Sequence, residues 1–376
     1  MKILLLACLN NTGNALGGAE KTIINLANWL ARNTNHEVKL VSVDGDAKPY
    51  NINENVNYYG FKLVTGNKIK KHLKLYKYTK KAIKDFMPNV VVSFWIQTIF
   101  YATLTKKFSN IDFIFSERND PNLEYGKIAK LMRRIALKKV SGVVFQTKMA
   151  MDYFDNNIKA KSTIIQNPVY IKYYDYKLNE KMDNRIVSVG RLYNQKNQKI
   201  LIEAFNRIKD KYKDFTLEIY GEGILREELQ EQINKNNLNG KVKLMGAHKD
   251  VIDKIYGARL FVLPSLYEGM PNALMEAMSL GIPSISSDCP CGGPKELIKN
   301  GVNGYLFNNN SIDSLIETMD NALSNNDFNL RKNEKEICNT NSQDVIFKEW
   351  EEFINKCNCT KERKKWWVEF KLKYFI

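Results

Sequence analysis

Short apolar runs rich in Val, Ile and Leu recur along this chain, each followed by a stretch with helical periodicity. Such alternation specifies parallel sheets, because a crossover helix must carry the chain back to the starting edge before the next strand can pair. In the first half the candidate strands are Lys2–Leu9, Val38–Val43, Val90–Phe94, Phe113–Ser116, Gly142–Gln146 and Ser162–Val169. Helices are expected over Ala19–Ala31, Lys70–Phe86 and Lys127–Lys138. Asn167-Pro168 breaks the pattern, and the polar stretch Tyr170–Asn184 has no clear period. The alternation then restarts with strands at Arg185–Val189, Thr216–Tyr220, Val242–Met245, Leu260–Leu263 and Pro283–Ser286. Helices are expected between them at Gln198–Lys211, Arg226–Asn236, Val251–Ala258 and Asn272–Leu280, and after them at Ser311–Ser324. The expected organisation is two doubly wound α/β domains, 1–169 and 185–355, joined by a linker, 170–184. A basic, aromatic helix over 356–376 is expected to return to the first domain or to lie on a membrane surface. A chain of 376 residues suits two domains of ordinary size.

Composition narrows the partners. No run of eighteen apolar residues occurs, and Met1–Cys8 reads as a first strand rather than a signal segment. The six cysteines and three histidines lack zinc-ligand spacing, so no metal site and a reducing compartment are expected. The net charge of +16 calls for an anionic partner. It is concentrated in Lys68–Lys84, which includes Lys70, Lys71 and Lys74, and in Lys127–Lys139, which includes Arg133 and Arg134. Ile69, Leu73, Ile128 and Leu131 recur among these cations, so both segments read as basic amphipathic helices. Such helices suit an anionic bilayer or a lipid diphosphate; a solvated face over an ordinary core is the plain alternative. The tail mixes Trp366, Trp367, Phe370, Tyr374 and Phe375 with Lys and Arg, a combination favoured at lipid headgroups.

The stretch Glu268-Gly-Met-Pro-Asn-Ala-Leu-Met-Glu276 follows a buried-strand pattern and leads into a helix. Pro271 suits a first helical position. The amides of Asn272, Ala273 and Leu274 would then be free donors at a helix N-terminus, ready for an anion. Glu268 stands before that site and Glu276 inside the helix, so one acid can face a sugar and the other a ribose. Four further motifs stand at strand ends: Val189-Gly-Arg-Leu192 with Gln195-Lys-Asn197, Tyr220-Gly-Glu-Gly223, Phe115-Ser-Glu-Arg-Asn-Asp120 and Asn14-Ala-Leu-Gly-Gly-Ala-Glu-Lys21. The last is not a G-x-G-x-x-G fingerprint, which argues against a nicotinamide dinucleotide.

Together these residues resemble the retaining glycosyltransferases of GT-B fold, family 4, of the type that builds bacterial polysaccharides. The resemblance implies an α/β protein with two Rossmann-like doubly wound domains facing across a cleft. It implies donor contacts from Gly17, Gly18, Arg191, Lys196, Gly221, Gly269, Met270, Asn272, Ala273, Leu274 and Glu276. Glu268 is implied at the transferred sugar. Relatives carry a histidine near Arg118; here Arg118 or Glu117 is the candidate for that place. The implied activity moves a hexose or N-acetylhexosamine from a nucleotide sugar, expected as a UDP-sugar, to a hydroxyl of a lipid-linked glycan. No cofactor and no metal are implied. Lys70, Lys71, Lys74, Arg133 and Arg134 are the candidates for the acceptor or for peripheral contact with an anionic membrane, on its cytoplasmic face. A nucleotide-sugar epimerase of the same fold is the alternative enzyme. A basic nucleic-acid-binding module is supported by charge alone, with no RNA-binding signature, helix-turn-helix or zinc motif, so no nucleic-acid partner is expected.

Overall fold

A computed structural model describes residues 1–9, 17–49, 51–105, 110–122, 126–179, 181–325 and 327–374, with side chains described as far as 358 except for Ile171. The chain forms two compact units. Unit 1 comprises Met1–Gln166 with Asp344–Ile376, and unit 2 is Asn167–Gln343.

Unit 1 is built on seven strands: β1 (Lys2–Ala7), β2 (Glu37–Ser42), β3 (Asn57–Gly60), β4 (Val90–Ser93), β5 (Asp112–Ser116), β6 (Gly142–Phe145) and β7 (Ser162–Ile164). They form one sheet in the order β3-β2-β1-β4-β5-β6-β7, and every pair is parallel. Strands β4, β5 and β6 are buried at every position, as expected where helices cover both faces. The edge strand β3 is absent from the sequence reading; it alternates exposed and half-buried residues and carries little apolar signal. Helices α1 (Gly18–Asn33), α2 (Lys68–Phe86), α3 (Ile96–Leu104) and α4 (Lys127–Lys139) connect these strands, and α3 packs against both α2 and α4. Helix α3 is also new relative to the sequence reading, being apolar nearly all round.

Unit 2 has six parallel strands: β8 (Asp183–Val189), β9 (Thr216–Tyr220), β10 (Val242–Gly246), β11 (Ala258–Leu263), β12 (Ser284–Asp288) and β13 (Tyr305–Asn308). Their order is β10-β9-β8-β11-β12-β13. Two apolar clusters form the unit 2 core, one centred on Phe205, Ile219 and Leu315, the other on Phe261, Leu274 and Met278. Ser311 caps the helix Ile312–Ser324 by accepting from the Ser314 amide, as its position before that helix predicts.

Two boundaries differ from the sequence reading. Residues 170–184, expected as a linker, belong to unit 2; Tyr173 is buried and β8 starts at Asp183. Residues 344–355, expected in the second domain, belong to unit 1. They begin one long helix, Gln343–Tyr374, whose Ile346, Phe347, Trp350, Phe353, Ile354 and Cys357 join the unit 1 core with Leu5, Leu26 and Val92. The spacing of these residues forms a single stripe, and burying it binds the helix to the unit whose sheet it covers. The tail side chains Trp366, Trp367, Phe370 and Tyr374 lie outside the described side chains, and residues 375–376 outside the described residues. Among the described residues no helix is long and apolar enough to cross a membrane.

Candidate active site

In each sheet the strand order reverses once, between β1 and β4 in unit 1 and between β8 and β11 in unit 2. Connections diverge to opposite faces at such a point, which opens a crevice beyond the carboxyl ends of the two strands. In unit 2 that geometry brings two distant motifs together. Strand β8 runs into Gly190–Asn197, which carries Arg191 and Lys196, and β11 runs into Pro264–Pro271, which carries Glu268. The two loops are tied to each other. The Leu266 amide donates to Gln195 O at 2.8 Å, and Gln195 Nε2 donates to Tyr267 O at 3.0 Å. The β8 loop is further held by β9, with the Gly190 amide on Tyr220 O and the Leu192 amide on Glu222 O. Gly221 makes this possible: its φ is +143°, and a Cβ there would stand 2.0 Å from Gly190 O.

Glu268 is 6% exposed. Its main chain exchanges two hydrogen bonds with the loop after β12, the Glu268 amide to Pro290 O at 2.6 Å and the Cys291 amide to Glu268 O at 2.8 Å. Gly293 lets that loop close in, since a Cβ there would fall 1.7 Å from Gly269 O. One carboxylate oxygen of Glu268, Oε1, accepts from Lys196 Nζ at 2.5 Å and from Ser265 Oγ at 2.7 Å. The other, Oε2, accepts no hydrogen bond from the described residues.

The helix Asn272–Ser279 starts at the expected residue. Pro271 is its cap, with ψ at 100°, rather than its first helical residue, and the Leu274 amide already donates to Pro271 O at 3.1 Å. The leading donors of this helix are therefore Asn272 and Ala273, and Leu274 is removed from the expected set because its amide closes the first turn. Asn272 Oδ1 accepts from Asn167 Nδ2 at 2.7 Å, which fixes the cap region from the start of unit 2. Glu276 Oε1 accepts from the Tyr173 hydroxyl at 3.0 Å. Burial, then the Glu276 charge beside it, pushes the Tyr173 phenol above its ordinary range, so Tyr173 stays a donor. Burial also raises the Cys289 thiol to about 12, which keeps it protonated beside this loop. Met270 is buried and packs into the unit 2 core, so its expected donor contact is limited to the main chain. Arg191 is exposed, with its guanidinium 5.5 Å from the Tyr193 ring.

Ser265, Tyr173 and Asn167 are not among the expected site residues. Ser265 stood three residues before Glu268, a spacing that lets a loop serine reach the acid, whereas Tyr173 and Asn167 lie about a hundred residues from their partners and leave no local signal.

In unit 1 the candidates separate. Glu117 follows β5 and is buried, where its Oε2 accepts from Arg133 Nη1 at 3.3 Å. Arg133 is 5% exposed; its Nη2 donates to Pro121 O at 3.0 Å, and its guanidinium stands over the Phe154 ring at 5.3 Å. Both expectations change: Arg133 does not face a membrane, and Glu117 is committed to an internal pair rather than to a sugar. The reason is mutual neutralisation, since either charge buried alone would be far costlier. Arg118 is half-buried, with its guanidinium carbon over Phe94, 3.9 Å from the ring centroid, and the Trp350 ring of the C-terminal helix at 5.8 Å. Gly17 precedes α1 in extended conformation and Gly18 opens it, both exposed. The rest of that glycine motif, 14–16, lies outside the described residues. On α2, Lys70 and Lys71 are exposed and Lys74 donates to Val64 O at 3.0 Å; on α4, Arg134 is exposed. Ile69, Leu73, Ile128 and Leu131 stand exposed among these cations, Ile69 at 72%. Among the described residues no group of His, Cys, Asp and Glu is arranged to hold a metal ion.

Two Rossmann-like parallel sheets, with a basic loop, a helix N-terminus and two acids gathered at the switch point of the second, define a GT-B architecture. Two family models match in succession: Glycosyltransferase Family 4 over residues 16–173 and Glycosyl transferases group 1 over residues 174–340. The chain belongs to the GT-B glycosyltransferases of glycan biosynthesis, and the protein is a transferase. It is 32% identical over 243 residues to an uncharacterised glycosyltransferase of Methanocaldococcus jannaschii, a match spanning 58% of this chain and 60% of that one. It is 26% identical to the GalNAc-alpha-(1->4)-GalNAc-alpha-(1->3)-diNAcBac-PP-undecaprenol alpha-1,4-N-acetyl-D-galactosaminyltransferase of Campylobacter jejuni, over 94% of this chain and 98% of that one. Among solved structures, HepE of Anabaena in complex with UDP superposes with a TM-score of 0.77, 17% identity, and coverage of 95% and 100%.

Proposed function

We propose that this transferase moves a hexose or N-acetylhexosamine from a UDP-sugar to a hydroxyl of a polyprenyl-diphosphate-linked glycan, with retention of anomeric configuration and without a metal. The observation that carries the reading is the divided Glu268 carboxylate: Oε1 is held by Lys196 and Ser265, and Oε2 accepts nothing from the described residues. Such an acid, fixed through one oxygen, suits contact with sugar hydroxyls through the other. Arg191, Lys196 and the Asn272 and Ala273 amides supply the positive field that a departing diphosphate needs as it gains charge. Glu276, oriented by Tyr173, suits the two hydroxyls of a ribose. In the step itself the bond from the anomeric carbon to the diphosphate oxygen breaks. The acceptor oxygen forms its new bond on the same face, and its proton passes to the departing oxygen, so no enzyme base is required. Arg118 is assigned to the transferred sugar, and the main chain of Gly17 and Gly18 to the donor. Support for the substrate classes comes from relatives: the Campylobacter enzyme is named for an undecaprenol-diphosphate glycan, and HepE is solved with UDP.

We place the enzyme on the cytoplasmic face of an anionic membrane, reached through α2 and α4. Exposed Ile69, Leu73, Ile128 and Leu131 interleave with Lys70, Lys71, Lys77, Lys130 and Arg134, which joins apolar insertion to charge attraction. Unfolding followed by heat with UDP, GDP and ADP in turn tests the donor class, because ligand at about 100 times its dissociation constant adds roughly 2.7 kcal/mol. A shift with UDP alone is expected; a shift with none of the three refutes the donor site. Flotation with phosphatidylglycerol vesicles at low salt tests the membrane contact, and absence of binding refutes it.

A further inference from the structure

Two groups hold Glu268 Oε1, and they differ in what else they do. Lys196 Nζ, a cation at the end of a four-carbon stem, is one that the proposed chemistry also assigns to the diphosphate. A diphosphate carries more negative charge than one carboxylate, so in that reading a bound donor competes with Glu268 for Lys196. Ser265 has no such second partner: its Oγ donates only to Glu268 among the described residues, and the residue is fully buried. Its main chain is fixed by neighbours. Ser287 Oγ of β12 donates to Ser265 O at 2.5 Å, Ser286 Oγ donates to Leu263 O at 3.3 Å, and the adjacent Leu266 amide is bound to Gln195 O. A serine side chain on a fixed backbone has one heavy-atom torsion with three staggered positions, and the one occupied here sets the hydroxyl 2.7 Å from Glu268 Oε1.

We propose that Ser265 is the positioning residue of the transfer: it keeps Glu268 anchored through Oε1, with Oε2 presented to the donor sugar, once Lys196 has turned to the diphosphate. The inference rests on the reading of Glu268 as the sugar-contacting acid. Ser265 acts wholly through Glu268, and that separates it from a residue that merely stabilises the loop. A buried hydrogen bond to a charged group, once lost, costs about tenfold or more in the equilibrium it supports.

The test is calorimetric binding of UDP and of UDP-glucose, UDP-galactose, UDP-N-acetylglucosamine and UDP-N-acetylgalactosamine to four proteins: wild type, Ser265→Ala, Glu268→Gln and the double variant. The quantity read is the affinity for the best UDP-sugar divided by that for UDP, which isolates the sugar's share. Ser265→Ala is expected to lower this ratio about tenfold while UDP affinity stays within about twofold, which also certifies the fold. In the Glu268→Gln background, Ser265→Ala is expected to change the ratio no further. An unchanged ratio in Glu268→Gln alone overturns the sugar-contact reading itself. A lowered ratio there, with Ser265→Ala either silent in the wild type or equally harmful in both backgrounds, overturns the positioning role and leaves that reading standing. Failure of UDP and all four UDP-sugars to bind wild type overturns both.

Discussion

Glu268→Gln keeps the shape of the side chain and removes the charge that holds Lys196. The pair is short and largely enclosed, with side chains 16% and 8% exposed at a separation of 2.5 Å. Two unit charges about 4 Å apart attract by about 4 kcal/mol at an effective dielectric near 20. Desolvation of both ions offsets most of that, leaving a net of about 1–2 kcal/mol. A diphosphate that recruits Lys196 must overcome this residue of attraction before its own contacts count. The variant is therefore expected to bind UDP about 5- to 30-fold more tightly than wild type, at the lower end because the Gln carbonyl still accepts from Lys196. Sugar transfer is expected to fall by two orders of magnitude or more in the same protein, the cost of one lost charge-stabilising contact at a reacting centre. Titration calorimetry with UDP at low and high salt is the assay, and the gain should shrink as salt screens the competition. Equal or weaker UDP binding in Glu268→Gln would refute the idea that Glu268 and the diphosphate compete for Lys196.

Three further outcomes follow from buried groups. Burial raises the carboxyl of Glu334 well above its usual range, with Oε1 accepting from the Ser284 amide at 2.7 Å and Oε2 without a hydrogen-bond partner among the described residues. Its protonated form is favoured in the fold, so its contribution is fully present below the ordinary glutamate pKa and is lost as pH rises through the raised folded value. Glu334→Gln cannot titrate, so its urea midpoint relative to wild type should climb between pH 4 and pH 8; a pH-independent difference would count against a neutral Glu334. Arg133→Ala should destabilise unit 1 by about 3–5 kcal/mol, because it removes one partner of a buried ion pair, and a cost near zero in chemical denaturation would show the pair to be solvated. Trp350→Ala should cost about 3–5 kcal/mol and increase proteolysis of unit 1 while UDP binding by unit 2 persists, whereas loss of UDP binding with an intact unit 1 would contradict the assignment of the C-terminal helix.

The periodicity of the chain carried most of the architecture. Runs such as Val90–Val92 and Leu260–Leu263 are continuous apolar segments that only a sheet covered on both faces can bury, and the helices between them dictate parallel pairing. The local grammar of Glu268–Glu276 likewise announced a strand, a loop and a helix, because each of those states depends on residues within a few positions. What remained illegible was every choice that depends on a partner far along the chain. Arg133 has the spacing of a surface cation on α4, yet Glu117 at the end of β5 draws it into the interior. The stripe from Ile346 to Cys357 announces a buried face without saying which sheet it covers, and packing assigned it to unit 1. Pro271 and Leu274 changed roles because cap geometry turns on a single backbone angle, ψ at Pro271, that residue type alone does not set. The gathering of Lys196, Ser265 and Glu268 was decided by tertiary structure, because a reversal of strand order places the ends of β8 and β11 side by side, and strand order is a property of the whole sheet rather than of any segment in it.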